Sequence, residues 1–374
     1  MMKHICVILI FFFGIGGCSE SNQQTVALAR KGEVQVEKIA KGLGVVWGVA
    51  FLGDDEIIFT ERQGSIQILD LNSKALVKLS GNPPVRAAGQ GGMLDVAVPQ
   101  DYRPGDWIYF TYVKDQGGKG VTTLARAQRS GKQLVKWSDL LVTQSATTTS
   151  RHFGSRITFD GKGHLYFSVG DRGYRPNGQD NSTHAGTVIR LNLDGSIPAD
   201  NPYVSEPNSL SEIWSYGHRN IQGIVYDREN DRLWAIEHGP RGGDEINVIL
   251  PGRNYGWPMV SYGKEYSRPV PVGKGTKMAG VEDAVKVYIP SIAPGSLIYY
   301  NGAAFPDWQG NLLAGALKLR HINRVELNSE GVAVAEERLL EDLGERIRAL
   351  AVSPEGWLYF STDSGMIQRI IPAD

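Results

Sequence analysis

Residues able to do chemistry gather in a few Gly-rich stretches of this chain. The richest runs Trp214-Ser215-Tyr216-Gly217-His218-Arg219-Asn220-Ile221-Gln222-Gly223 and continues as Glu237-His238-Gly239-Pro240-Arg241-Gly242-Gly243-Asp244-Glu245-Ile246-Asn247. It resumes at Pro251-Gly252-Arg253-Asn254-Tyr255-Gly256-Trp257-Pro258. Gly and Pro bend the backbone so that carbonyls face a ligand, and Asp244 and Glu245 add hard anionic oxygens. Calcium takes roughly six to eight oxygens from such mixed sources, so the stretch suits a Ca²⁺ site, and it suits a solvated turn with capped ends equally well. Zinc is disfavoured because the seven His are scattered without paired spacing.

Arg346-Ile347-Arg348 is a second signal, since residues two apart on a strand project from one face and both guanidinium groups can reach one ligand. With Lys318 and Arg219 they form a cationic set able to hold a polycarboxylate, although any one of them alone is an ordinary surface cation. A third signal is His152, just before one strand pattern, and Asp171, just after the next. If those strands are antiparallel neighbours, both residues emerge at the same end, and a carboxylate orienting a His makes a general base near neutral pH. Gln90 sits in the flexible run Gly89-Gln90-Gly91-Gly92.

The elements that must position these residues are short β-rich runs punctuated by Gly, Asp, Asn and Pro, with Gly at 45 residues and little helical periodicity. One run recurs. Glu56-Ile57-Ile58-Phe59-Thr60, Trp107-Ile108-Tyr109-Phe110-Thr111 and His164-Leu165-Tyr166-Phe167-Ser168 are close copies. Arg232-Leu233-Trp234-Ala235-Ile236 and Asn311-Leu312-Leu313-Ala314-Gly315 are weaker, and Trp357-Leu358-Tyr359-Phe360-Ser361 is again strong. Each follows an apolar strand and a turn, and the spacing fits four-stranded units of roughly 40–50 residues with variable insertions. Six such units predict an all-β, six-bladed β-propeller with four-stranded antiparallel blades. A β-sandwich explains turn-separated strands but not the sixfold recurrence. The chemistry-bearing stretches lie in the insertions, which a propeller gathers at its two faces.

The beginning of the chain reads differently. Lys3 and His4 precede an apolar run over residues 5–13, then Gly14-Ile15-Gly16-Gly17-Cys18. This describes a signal peptide over residues 1–17, too short to span a bilayer as a mature helix. Small residues before Cys18 resemble a bacterial lipobox, with Ile15 in place of the usual Leu, and Ser19 resembles the outer-membrane sorting pattern. Ordinary secretion with cleavage nearby is the alternative. Residues 18–33 read as a lipidated tether and 34–374 as the propeller. Cleavage removes Cys6, leaving Cys18 as the sole cysteine, so an exported chain must rely on its core without a disulfide. The formal net charge of −1, one unit more negative once Lys3 is lost, excludes a basic nucleic-acid binder.

Taken together, residues 89–97 (GQGGMLDVA), 151–159 (RHFGSRITF), 169–173 (VGDRG), 212–223 (EIWSYGHRNIQG), 237–247 (EHGPRGGDEIN), 251–267 (PGRNYGWPMVSYGKEYS), 290–296 (PSIAPGS), 315–318 (GALK) and 345–356 (ERIRALAVSPEG) closely resemble the pyrroloquinoline-quinone-dependent aldose sugar dehydrogenases, relatives of soluble glucose dehydrogenase. The resemblance spans roughly residues 45 to 370. It implies that His152 is the base that removes the sugar C1 hydroxyl proton, with Asp171 orienting it, and that the hydride passes to the quinone to give a lactone. It implies cofactor contacts at Gln90, Arg219, Asn220, Tyr266, Ala316, Leu317, Lys318, Arg346, Ile347 and Arg348. It also implies calcium at the carbonyls of Gly239 and Pro240, and a further, structural calcium at Glu245 and Tyr255. Three carboxylates on the cofactor explain the gathering of Arg and Lys, and the metal acts as a Lewis acid on the accepting carbonyl.

The chain departs from relatives at Ala185-Gly186-Thr187-Val188, at the Gly295-Ser296 order and at Ala349, none of them a position given a chemical role. The implied partners are an aldose, an unidentified electron acceptor and, through Cys18, the periplasmic face of the outer membrane. Nucleic acid is not among them, and the chain is expected to be a monomer or homodimer. A calcium-dependent lactonase on the same scaffold would leave the cationic set without a use. A non-enzymatic sugar- or protein-binding propeller would tolerate neutral residues at Arg346 and Arg348.

Overall fold

The recurring apolar run is, in every copy, the second strand of a sheet. In the computed structural model, which describes residues 23–27 and 33–373, these strands are Glu56–Glu61, Trp107–Gln116, His164–Val169, Arg232–Glu237, Asn311–Ala316 and Leu358–Thr362. Each is flanked by partners within its own sheet and covered on both faces by neighbouring sheets. The run is therefore continuously apolar rather than alternating, and Asn311–Ala316 is buried along its whole length. Outer strands face water on one side and alternate, as Ala333–Leu339 does.

The first strands, Val46–Phe51, Met93–Ala97, Ile157–Phe159, Ile221–Asp227, Pro294–Tyr300 and Ile347–Val352, touch one another in a closed cycle and define blades 1 to 6 around an axis. All pairings within blades are antiparallel, so the molecule is the expected six-bladed propeller. Blades 1 to 5 have four strands each. Blade 6 is completed from the other end of the chain, with Glu33–Lys41 pairing along Met366–Pro372 from Val34↔Pro372 to Lys41↔Met366. Gln23–Ala27, which the sequence reads as tether, pairs with Glu33–Lys41 as a fifth strand of that blade. The expected signal peptide and Cys18 lie outside the described residues.

The core is divided into wedges between blades. Ile58, Ile68, Met93, Phe110 and Ala125 fill the wedge between blades 1 and 2, and Leu313, Ile322, Ile347, Leu350 and Phe360 that between blades 5 and 6. Each of the larger side chains contributes about 1.5–3 kcal/mol on burial. The axis itself is polar. Arg156 of blade 3 lies across it, stacked 4.1 Å over the Trp47 ring of blade 1 and paired at 2.8 Å with Asp95 of blade 2. The same guanidinium donates to the carbonyls of Gln222, Gly295 and Arg348, in blades 4, 5 and 6. One side chain thus reaches every blade and closes the channel, leaving a cavity of 810 Å³ open on one face. Among the described residues no helix is long and apolar enough to cross a membrane.

Candidate active site

Antiparallel pairing puts the start of every first strand and the end of every second strand at one face. Gln90, His152, Arg219, Asn220 and Arg346 all just precede first strands, while Asp171, Gly239, Lys318 and Asp363 just follow second strands. The residues singled out in the sequence therefore converge on a single mouth of the channel.

His152 and Asp171 meet there as expected, with Nδ1 2.6 Å from Asp171 Oδ1. The pairing needs a close approach at Gly170, where a Cβ would stand 2.4 Å from the His152 carbonyl. The carboxylate can only accept, so Nδ1 carries the hydrogen and Nε2 keeps its lone pair. Among the described residues Nε2 has no hydrogen-bond partner. Asp171 is held in turn by the Gly173 N–H at 2.7 Å and the Trp257 indole N–H at 2.8 Å. Burial alone would raise the pKa of Asp171, but His152, the Gly173 amide and Arg219 outweigh it and hold the carboxyl below its ordinary range. Burial pushes the His152 imidazole the other way, below the ordinary histidine value, with Arg219 and Arg151 adding to the effect and Asp171 opposing it. A neutral, oriented imidazole with a free nitrogen is a general base.

The cationic set lies at the same face as this imidazole. Gln90 accepts the His152 backbone N–H at 2.7 Å. Arg219 donates to the His238 carbonyl, lies 3.4 Å from the exposed Tyr266 hydroxyl, and faces the Trp257 ring at 5.4 Å. Asn220 accepts from the Gly154 amide. Ala316, Leu317 and Ile347 are buried, so what they can offer a ligand is backbone. Lys318 is exposed and makes no ion pair among the described residues. Arg346 and Arg348 do share a target, as strand spacing predicts, and it is Asp363: each Nε lies 2.8 Å from its carboxylate. The two guanidinium groups outweigh burial and hold Asp363 below the usual carboxylate range. Trp257 and Asp363 were missed by the sequence reading. A usable signal existed, because Asp363 directly follows a repeated second strand, and Lys318 and Asp171 each lie two residues beyond one.

The residues expected at calcium line one small cavity of about 20 Å³, bounded by Gly239, Pro240, Glu245 and Tyr255 and also by Glu237. That volume suits a single water-sized occupant. Burial first, and the Glu237 charge second, push the Glu245 carboxyl well above its ordinary range. Two carboxylates facing one buried space are the donor chemistry of a hard cation. The Tyr255 hydroxyl is committed to Val248 and Leu250, which leaves its carbonyl to coordinate. The Pro240 carbonyl already accepts the Lys264 amide. Asp244, expected to add ligand oxygens, is fully buried and instead clasps loops by accepting from Gly239, Ser291 and Ala293. Among the described residues no three His, Cys, Asp or Glu converge on one point, so a cation here draws on carbonyls as well.

An oriented imidazole, four cations and a pocket bordered by two carboxylates thus share one mouth of the propeller. Residues 43–369 match the model of the glucose/sorbosone dehydrogenase family, and the chain belongs to that family. It is 38% identical to the aldose sugar dehydrogenase YliI of Escherichia coli strain K12 over 91% of this chain and 93% of that one. The apo crystal structure of the soluble aldose sugar dehydrogenase from Escherichia coli superposes with a TM-score of 0.87 at 36% identity, covering 91% of this chain and all of the other. The PQQ-bound aldose sugar dehydrogenase of Streptomyces coelicolor gives a TM-score of 0.75 at 25% identity, covering 92% and 99%.

Proposed function

We propose that this protein oxidises aldoses at C1 to the lactone, with pyrroloquinoline quinone and Ca²⁺ as its cofactors. The observation that carries the reading is the free Nε2 of His152, oriented by Asp171 at the same face as the guanidinium groups of Arg219, Arg346 and Arg348, which a neutral substrate would not need. Arg219, Lys318, Arg346 and Arg348 fit a flat polycarboxylate, and Gln90, Asn220, Tyr266 and the backbone of Ala316, Leu317 and Ile347 border it. The carbonyls of Gly239 and Pro240 and the pair Glu245 and Tyr255, expected at two separate calcium positions, line one cavity with Glu237, and together they fit a single hard cation. When bound, the quinone supplies a two-electron acceptor and the metal supplies Lewis acidity.

The chain's own residues do the rest. His152 Nε2 takes the proton of the C1 hydroxyl as C1 gives up its hydride, so the sugar loses two electrons and two hydrogens. Asp171, fixed by Trp257 and Gly173, keeps the ring in the tautomer that leaves Nε2 basic. Arg219 stands close enough to disfavour the charged imidazole before substrate arrives.

Export and acylation at Cys18, with the propeller held at the periplasmic face of the outer membrane, belong to the same proposal, as do an external electron acceptor and a monomeric or dimeric state. They are supported by the apolar run over residues 5–13 and the small residues before Cys18.

Titrating the purified protein with pyrroloquinoline quinone in calcium buffer tests the core of it. Saturable uptake, followed by dye reduction when glucose is added, is the expected result. No uptake with calcium supplied, or lactone hydrolysis without quinone, overturns the proposal.

A further inference from the structure

Arg172 follows the carboxylate that orients the base, and its own side chain is completely buried. No carboxylate pairs with it among the described residues. Its guanidinium is satisfied by carbonyls instead. Nε donates to Ser145 at 3.3 Å, one terminal nitrogen donates to Arg151, and the other to Thr149 at 3.0 Å and Gly120 at 3.3 Å. Three of these four acceptors belong to the loop that delivers His152. The guanidinium also lies 3.5 Å from the centre of the Phe153 ring. Thr149 closes the circuit by donating its hydroxyl to the Arg172 carbonyl at 2.7 Å.

Arg172 therefore grips both sequence neighbours of His152, the carbonyl before it and the aromatic ring after it. This matters because His152 has φ +57°, the left-handed region that a side chain with a Cβ avoids. Such a residue persists only where its surroundings over-determine it. Phe153 is anchored in turn by Trp47, Leu94 and Val113.

Stability alone does not explain the choice of residue. A buried guanidinium with no ion pair, eased only by the charge of the neighbouring Asp171, is costly, and apolar replacements of buried charges are often neutral or stabilising. Burial pushes the Arg172 pKa down to about 10. A planar fork that reaches three turns of one loop while stacking on a ring is, however, something no apolar side chain supplies.

We propose that Arg172 is a positioning residue for the general base: it locks the loop over residues 145–153 so that the His152 imidazole meets Asp171 with Nε2 directed at the substrate. The inference rests on His152 being the base. Asp171 sets the direction of the ring, and Arg172 sets the backbone from which the ring springs. Adjacent residues of one turn thus hold the base from two sides.

Arg172→Lys keeps the charge and loses the fork, and Arg172→Met loses both. In each, measured as the holoenzyme reconstituted with pyrroloquinoline quinone and Ca²⁺, kcat is expected to fall on the order of 100-fold, the effect of a small misplacement of a reacting group. The glucose KM and the cofactor dissociation constant stay within about threefold, since neither depends on the base. In the apoprotein, the titration midpoint of His152, followed by NMR with ¹⁵N-labelled histidine, moves up toward the ordinary value as the loop opens to water. Unchanged kcat in a folded variant overturns the inference. So does a loss of kcat matched by an equal loss of cofactor uptake with the His152 titration unmoved, which is the signature of a structural role only. If Arg172→Met does not fold, Arg172→Lys decides by the same readings. His152→Ala run alongside separates the two levels: if it keeps its turnover, the base assignment fails, whereas if it loses turnover and Arg172→Lys does not, only the role of Arg172 fails.

Discussion

His152 and His218 are built from the same parts and end in different trades. Each offers Nδ1 to a carboxylate, His152 to Asp171 at 2.6 Å and His218 to Glu237 at 2.9 Å. The His218 side chain is wholly buried, its Nε2 is taken up by Ser215 Oγ at 2.9 Å, and its ring stacks on Tyr255 with centroids 4.6 Å apart. The His152 side chain keeps 12% of its surface, and its Nε2 is left free. The Glu237 oxygen not used by His218 accepts the Arg219 amide, so His218 braces a loop that bears part of the site. A histidine–carboxylate pair is therefore not in itself a sign of catalysis. Only the His152 pair leaves its second nitrogen open to accept a proton.

Breaking the first pair gives the largest expected effect. His152→Ala removes the proposed proton acceptor, and turnover should fall by about 10²–10⁴-fold while quinone uptake, followed by absorbance, is retained. Retained turnover would move the base elsewhere. Next comes Arg348→Met, which leaves Asp363 to Arg346 alone and takes a charge from the mouth. The quinone dissociation constant should rise about 10- to 100-fold, the worth of one hydrogen bond to a charged group. A third expectation concerns pH. Protonating His152 abolishes the base, and burial lowers its pKa, so the acid limb of kcat/KM should lie below the ordinary histidine value of about 6.5. Asp171 favours the charged ring, so Asp171→Asn should carry the limb to still lower pH as well as slowing the reaction. A limb moving upward would contradict that account. Smallest in catalytic terms is His218→Gln, expected to cost about 1–3 kcal/mol in urea unfolding by disturbing the buried Glu237, with kcat of the calcium-saturated folded enzyme falling far less than in His152→Ala. A collapse of kcat there would erase the distinction between the two pairs.

Much of this was legible in the chain. The repeated run marks every second strand because a strand covered on both faces must be apolar throughout, and a pattern of that kind survives unequal loops. His152 and Asp171 could be paired from their places beside consecutive strands, since antiparallel neighbours return to one face. That Arg346 and Arg348 can reach one group followed from the two-residue period. The blade formed jointly by Glu33–Lys41 and Met366–Pro372 was not legible, because nothing local links the two ends of the chain. Nor could spacing show that Asp363 already occupies those two arginines, or that Glu237 joins Glu245 at a cavity.

Local periodicity and residue chemistry thus determined the architecture and brought His152, Asp171 and the cations Arg219, Lys318, Arg346 and Arg348 to one face, because those follow from short-range rules of strands and donors, while the other candidate members came only from family resemblance. Tertiary structure alone decided which of two similar histidines is free to act, that Asp244 clasps loops, and that Arg156 closes the axis. Each of these depends on what packs against a side chain from a distant part of the chain, and burial and hydrogen-bond saturation belong to the assembled fold.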